Sequence, residues 1–281
     1  MSERKKTFWL MAALVAIFMY VGNLIAGEQG MMTALLMAGG INFVSYFFSD
    51  KMVLSHYKAT AVSQKNAPKL YEIVQRLAKN AALPMPKIYI IPEETPNAFA
   101  TGRNPSHAAV AVTQGLLNLM TDEEVEGVLA HEMSHVRHYD ILIGTVAAIF
   151  AGAIGMLGNI AGYGQYSSGR QGRNSAGILA IVVMPIAAVI VQMAISRSRE
   201  YKADEGAALL TDHPEWLIAA LQKLDNYAKS LPMKRASLQT AHLFIVNPMC
   251  GISGSLAGLF STHPNTKDRI ERLSKIKISR K

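Results

Sequence analysis

A single cysteine, Cys250, stands in a chain of 281 residues. With no second thiol there is no intramolecular disulfide, so the fold does not rely on an oxidising compartment. No histidine lies near it in sequence, and it reads as a small buried hydrophobe. Charge is also sparse: charged residues make up 17% of the chain against 50% hydrophobic ones, and the mean hydropathy of +0.18 is high for a soluble globule. There is no internal repeat, and the only low-complexity stretch is the Gly/Ser/Tyr-rich segment 163–175. The net charge of +8 could suggest nucleic acid, but no basic-aromatic pattern suited to reading bases accompanies it. Lys and Arg instead flank apolar runs and the C-terminus, as expected beside anionic cytoplasmic lipid.

The hydrophobic excess gathers in four runs, the mark of a membrane protein with a polar part attached. The first, Thr7 to Ala26, follows Arg4, Lys5 and Lys6 and is longer than the roughly 7–15 apolar residues of a signal peptide. The second, Met31 to Phe48, follows after only Gly27-Glu28-Gln29-Gly30. Two runs joined by a short turn without Lys or Arg read as a transmembrane hairpin, with the N-terminus and the Lys51 side both cytoplasmic. The third run is Ile141 to Gly162 and the fourth Gly177 to Ile195, the latter holding Pro185 and Gln192; proline is tolerated within a span. Gly144, Ala148 and Gly152 form a small-residue face suited to close helix packing. Arg170 and Arg173 in the intervening loop run against the positive-inside trend. The expected organisation is a hairpin over 1–50, a cytoplasmic part over 51–140, a second hairpin over 141–195 and a second cytoplasmic part over 196–281.

Between the hairpins, Leu70, Ile73, Val74, Leu77 and Ala81 recur at helical spacing behind Pro68. Strands are expected at Lys87 to Pro92, Asn97 to Gly102 and Ala108 to Thr113, the last two joined by the turn-rich Arg103-Asn104-Pro105-Ser106. Thr121 with Glu124 three residues on is a capping box that opens a helix.

That helix carries His131-Glu132-Met133-Ser134-His135. Positions i and i+4 share a helix face, so both imidazoles can reach one ion, and Glu132 beside them can take a proton from a water at an open coordination position. Two solvated histidines on a helix face are the bland alternative. Val125, Val128, Leu129 and Val136 supply a buried side. Zinc needs a third protein ligand, for which any downstream His, Asp or Glu is a candidate. In Ser196 to Glu205, Glu200 and Asp204 are again i, i+4, so the second can support the site from one turn away. Taken alone, this segment reads as an exposed charged helix. However, His135 lies just before the third run and Glu200 just after the fourth. Each is therefore within roughly 10 Å of the bilayer edge, on the same side if the runs form a hairpin, which favours Glu200.

Together these features resemble the HtpX-type membrane metalloproteases, relatives of the CAAX prenyl proteases. The resemblance is carried in order by the N-terminal hairpin, Asn97-Ala98-Phe99-Ala100-Thr101-Gly102, His131-Glu132-Met133-Ser134-His135, Arg197 through Asp204, and Thr262-His263-Pro264 with Arg269-Ile270. It implies an α-helical integral membrane protein with four transmembrane helices and an α+β gluzincin-like metalloprotease domain. It also implies one Zn2+ held by His131, His135 and Glu200, with Glu132 catalytic. By the same resemblance, Asn97, Ala98 and Phe99 lie on an edge strand that aligns an extended substrate, and Asp204, His263 and Arg269 lie around the site, the last two as possible oxyanion donors. On pattern alone His263-Pro264 is a turn and Arg269 a solvated helix residue. The implied role is quality control, under stress, of misfolded or unfolded membrane proteins at the cytoplasmic face of the bacterial inner membrane. The chain's partners would be such substrates and the bilayer, with no nucleic acid; the oligomeric state is left open. Two rival readings fit parts of the pattern. A non-catalytic zinc-binding membrane scaffold has no need of Glu132 and usually has four protein ligands. A prenyl-peptide protease shares the chemistry but needs an intramembrane chamber that four spans look too few to enclose.

Overall fold

A computed structural model describes residues 3–142, 197–230 and 264–276. Residues Glu3–His56 form one long helical element, α1, yet it does not run straight. Gly27 takes φ +59°, a left-handed conformation open to glycine at little cost. The two arms then lie side by side. Asn42 Nδ2 donates to the Met11 carbonyl at 3.5 Å, residues that a straight helix would hold about 46 Å apart. A Cβ on Gly22 would come within 2.7 Å of the Ala34 Cβ, so glycine there lets the arms close. Phe8, Trp9, Tyr20, Leu36, Phe43 and Phe47 are exposed along them. Among the described residues one stretch, Gly27–Phe48, is apolar and long enough by composition to cross a membrane, with mean hydropathy 1.5. The expected third and fourth spans lie, beyond Leu142, outside the described residues.

The end of α1 enters the polar part. Val53 and Leu54 pack on Ile91, Phe99, Ala109 and Ala111, on one face of a four-stranded sheet. Its strands are β1 (Thr60–Val62), β2 (Lys87–Ile91), β3 (Ala98–Gly102) and β4 (Ala108–Thr113), in the order β1-β2-β4-β3. Only β2 and β4 are parallel. All of β4 is buried, as a central strand covered on both faces must be, and β3 is left at an edge. A 3₁₀ turn, Pro105–His107, joins β3 to β4.

The other face of the sheet is covered by helices. Leu70, Ile73, Val74 and Leu77 of α2 (Pro68–Asn80) pack into one core with Val125, Val128, Leu129 and Met133 of α4 (Asp122–His138). Thr121 caps α4 by the expected box: its Oγ1 accepts from Glu124 N at 3.3 Å, and Glu124 Oε2 accepts from Thr121 N at 2.8 Å. Against α4 lie α5 (Arg197–Thr211) and α6 (Pro214–Ser230), and α7 (Thr266–Ser274) packs on these two helices. Two glycines allow the close approach. Side chains at Gly206 and Gly127 would collide with Ser134 and with the Leu217 backbone, respectively. Two short elements escaped the sequence reading, β1 and α3 (Gln114–Leu119); three and six residues are too few to establish a period.

Candidate metal centre

Helix α4 runs through the core, so His131 is only 1% exposed, and the i, i+4 spacing turns His135 the same way. Helix α5 crosses against α4 and brings Glu200 to both. His131 Nε2 lies 3.2 Å from His135 Nε2. Glu200 Oε2 is 3.6 Å from His131 Nε2, and its Oε1 is 3.5 Å from His135 Nε2. Ligands at the corners of a tetrahedron around zinc, with bonds of about 2.0–2.2 Å, are separated by about 3.3–3.6 Å. Two imidazole nitrogens and a carboxylate at that spacing fit a zinc site. Among the described residues this is the one His/Cys/Asp/Glu group with atoms converging in this way.

The far side of each imidazole is held by a carboxylate. His131 Nδ1 is 3.0 Å from Asp204 Oδ1, and His135 Nδ1 is 3.1 Å from Asp140 Oδ2. A carboxylate only accepts, so both Nδ1 atoms donate, and each Nε2 is the nitrogen turned to the centre. Asp204 is gripped in turn by Arg269, whose Nε and Nη2 donate to its two oxygens at 2.9 and 2.7 Å. The pattern expectation of a solvated Arg269 is therefore corrected: the residue is 1% exposed, because Asp204 compensates its charge. Arg272 at 3.9 Å over the Tyr201 ring fastens α7 to α5 beside it.

Burial opposes charge on His131, but the hydrogen bonds to Asp204 and Glu200 outweigh it and raise its pKa to about 9 in the metal-free protein. Burial likewise opposes charge on Asp204, and the Arg269 guanidinium overrides it, holding the carboxyl down to about 2. Burial would lower the Arg269 pKa, yet Asp204 raises it. Because a metal ligand must be deprotonated, a zinc ion bound through His131 would have to displace a proton from it at any pH below about 9. Zinc affinity, measured by chelator competition, should therefore rise with pH up to about 9, by about tenfold per unit for one proton displaced. An affinity flat across this range would show that no such proton is displaced.

Glu132 sits beside the cluster, 8% exposed, and its Oε2 accepts from Ala100 N at 3.0 Å. This contact fixes the orientation of β3. Asn97 is tied to β4 by Thr113, whose N donates to the Asn97 carbonyl at 2.9 Å and whose Oγ1 accepts from Asn97 N at 2.8 Å. Antiparallel alternation then turns the main-chain groups of Asn97, Phe99 and Thr101 toward β4 and those of Ala98 and Ala100 outward. Of the three strand residues named from sequence, Ala98 has its main chain on the open edge, and the Phe99 ring is buried in the core. Asp140 and Arg199 were not singled out from sequence, and Ala100 entered only as part of the edge segment 97–100. His263 lies outside the described residues.

The sequence profile of Peptidase family M48 matches residues 64–277, which takes in the whole cluster. The chain belongs to peptidase family M48. Within that family it is of the HtpX type. It is 62% identical over 280 residues to "Protease HtpX homolog" of Campylobacter hominis, covering 99% of each chain. It is 56% identical over 277 residues to the protein of the same name from Sulfurovum sp., covering 98% of this chain and 100% of that one. Among solved structures it resembles the crystal structure of S. mikatae Ste24p, with TM-score 0.52 and 17% identity. That match covers 93% of this chain and spans 62% of that one, and it speaks for the fold alone. The M48 chain is thus a metalloprotease, and the scaffold alternative is set aside.

Proposed function

We propose that this M48 metalloprotease is a zinc endopeptidase held in the membrane, cutting extended segments of misfolded membrane proteins at the cytoplasmic face. The observation that carries this reading is the position of β3. One edge of the strand faces Glu132, and one face packs under Val53 and Leu54, a turn or so beyond the Phe48 end of the apolar stretch. A substrate strand added along Ala98 and Ala100 would lie beside the metal cluster and close to the bilayer surface. Bound by His131, His135 and Glu200, zinc would supply Lewis-acid chemistry to the attacking water and the scissile carbonyl. Glu132, aimed by the Ala100 N–H, accepts the proton of that water and passes it to the leaving amine. Asp204 holds His131, and Arg269 holds Asp204. Four spans, with 51–140 and 196–281 both cytoplasmic, follow from the charge pattern.

Single cysteines at Gln29, Ser167 and Ser230, in a Cys250→Ser background, test this placement. A membrane-impermeant thiol reagent added to intact cells should label the first two and spare Ser230. Labelling at Ser230 would overturn the cytoplasmic reading.

A further inference from the structure

We infer that Asp140 is a positioning residue for the metal centre, fixing the His135 imidazole directly by accepting from its Nδ1. The inference rests on His131, His135 and Glu200 being the metal ligands. Asp204 orients His131 from a neighbouring helix; His135 has no such carboxylate on α5. Its Nδ1 instead donates to Asp140 Oδ2 at 3.1 Å. An uninterrupted helix could not bring this about. Five residues past His135 the side chain would point about 140° away around the axis and roughly 7.5 Å further along. The chain reverses first: Tyr139 caps α4 in the left-handed conformation, φ 63° and ψ 22°, with its N–H on the His135 and Val136 carbonyls. That turn folds Asp140 back against His135.

The second oxygen of Asp140 faces the other half of the site. Oδ1 lies 3.8 Å from Arg199 Nε, both side chains being 9% exposed. Among the described residues no hydrogen-bond partner reaches Oδ1, and the Arg199 charge is its counterpart among them. Arg199 immediately precedes Glu200. Asp140 is the last residue before the apolar run that begins at Ile141, and Arg199 follows shortly after the run that ends at Ile195. The pair therefore joins the two places where the chain leaves and re-enters the protease part, and it does so directly beside the metal ligands. An acceptor oxygen in this position holds the His135 Nε2 toward the centre, in the way outer partners of metal-bound imidazoles act generally.

The test uses full-length, detergent-purified protein and two variants, Asp140→Ala and Asp140→Asn. Alanine removes the acceptor for Nδ1; asparagine keeps an oxygen of the same reach without the charge. Zinc affinity is read by competition with a chromophoric chelator, and site geometry by the visible absorption of the cobalt-substituted protein. Asp140→Ala should weaken zinc by about 10- to 100-fold and shift the cobalt bands, while Asp140→Asn recovers the wild-type bands and much of the affinity. Equal zinc affinity in the two variants would overturn the inference, because only one of them offers His135 an acceptor. Should Asp140→Ala fail to fold, Asp140→Asn decides alone: wild-type cobalt bands are expected, and shifted bands overturn the inference. Wild-type protein that takes up no cobalt would overturn the ligand reading itself, and this inference with it.

Discussion

Glu132→Gln should leave zinc content near that of the wild type while peptide-bond cleavage falls by about 10²-fold or more, the lower range for a lost general acid–base group. Glutamine keeps the shape of the side chain and an oxygen that can accept from Ala100 N, now 3.0 Å from the Glu132 carboxylate, so β3 keeps its anchor. What is lost is the basicity that takes the water's proton. Glu132 is also outside the converging set of His131, His135 and Glu200, so the metal keeps its three donors. A loosely folded, casein-like substrate in detergent with zinc in slight excess provides the assay, alongside metal content by mass spectrometry. Cleavage at the wild-type rate would remove Glu132 from the mechanism. Loss of zinc together with activity would point to a disturbed metal environment, since outer contacts also set affinity; the cobalt spectrum then tells the two apart.

The parts of this protein that were legible in the sequence are those decided within one element. The capping box at Thr121 and Glu124 needs only three residues of spacing, and the structure forms both of its hydrogen bonds. The two histidines of α4 need only the helical period. The strand β4 shows as a run of small and β-branched apolar residues, which is what burial on both faces demands. Legibility fails where the environment of a side chain is set by a distant partner. Arg269 looks like any other basic residue of a polar helix, and its burial depends on Asp204, which is 65 positions away. Asp140 acts through a left-handed Tyr139, and no glycine or asparagine announces that turn. Ala98 and Phe99 belong to an edge strand, but which of its residues face outward depends on register with β4, and a shift of one residue would exchange them.

Glu200→Ala should abolish stable zinc binding, an effect larger than the roughly 10- to 100-fold expected for an outer contact. The carboxylate closes the cluster from α5, with one oxygen 3.6 Å from His131 Nε2 and the other 3.5 Å from His135 Nε2. Without it two imidazoles remain, one short of the three protein ligands that a catalytic zinc site keeps. The sequence alone left Asp204 and Glu205 as candidates for the same role, and geometry separates the three. Asp204 faces the outer nitrogen of His131, with both of its oxygens on Arg269. Glu205 is exposed. Glu205→Ala should therefore keep full zinc content and serve as the control for a lost charge on α5. Folding of Glu200→Ala should survive, because α5 also meets α4 through Ala207 in the shared core and through the Gly206–Ser134 approach. Metal content of the intact, purified variants by mass spectrometry is the measurement. Full zinc occupancy in Glu200→Ala, in protein that melts like the wild type, would remove Glu200 from the ligand set. With His131 and His135 sound, the third donor would then have to be sought outside the described residues.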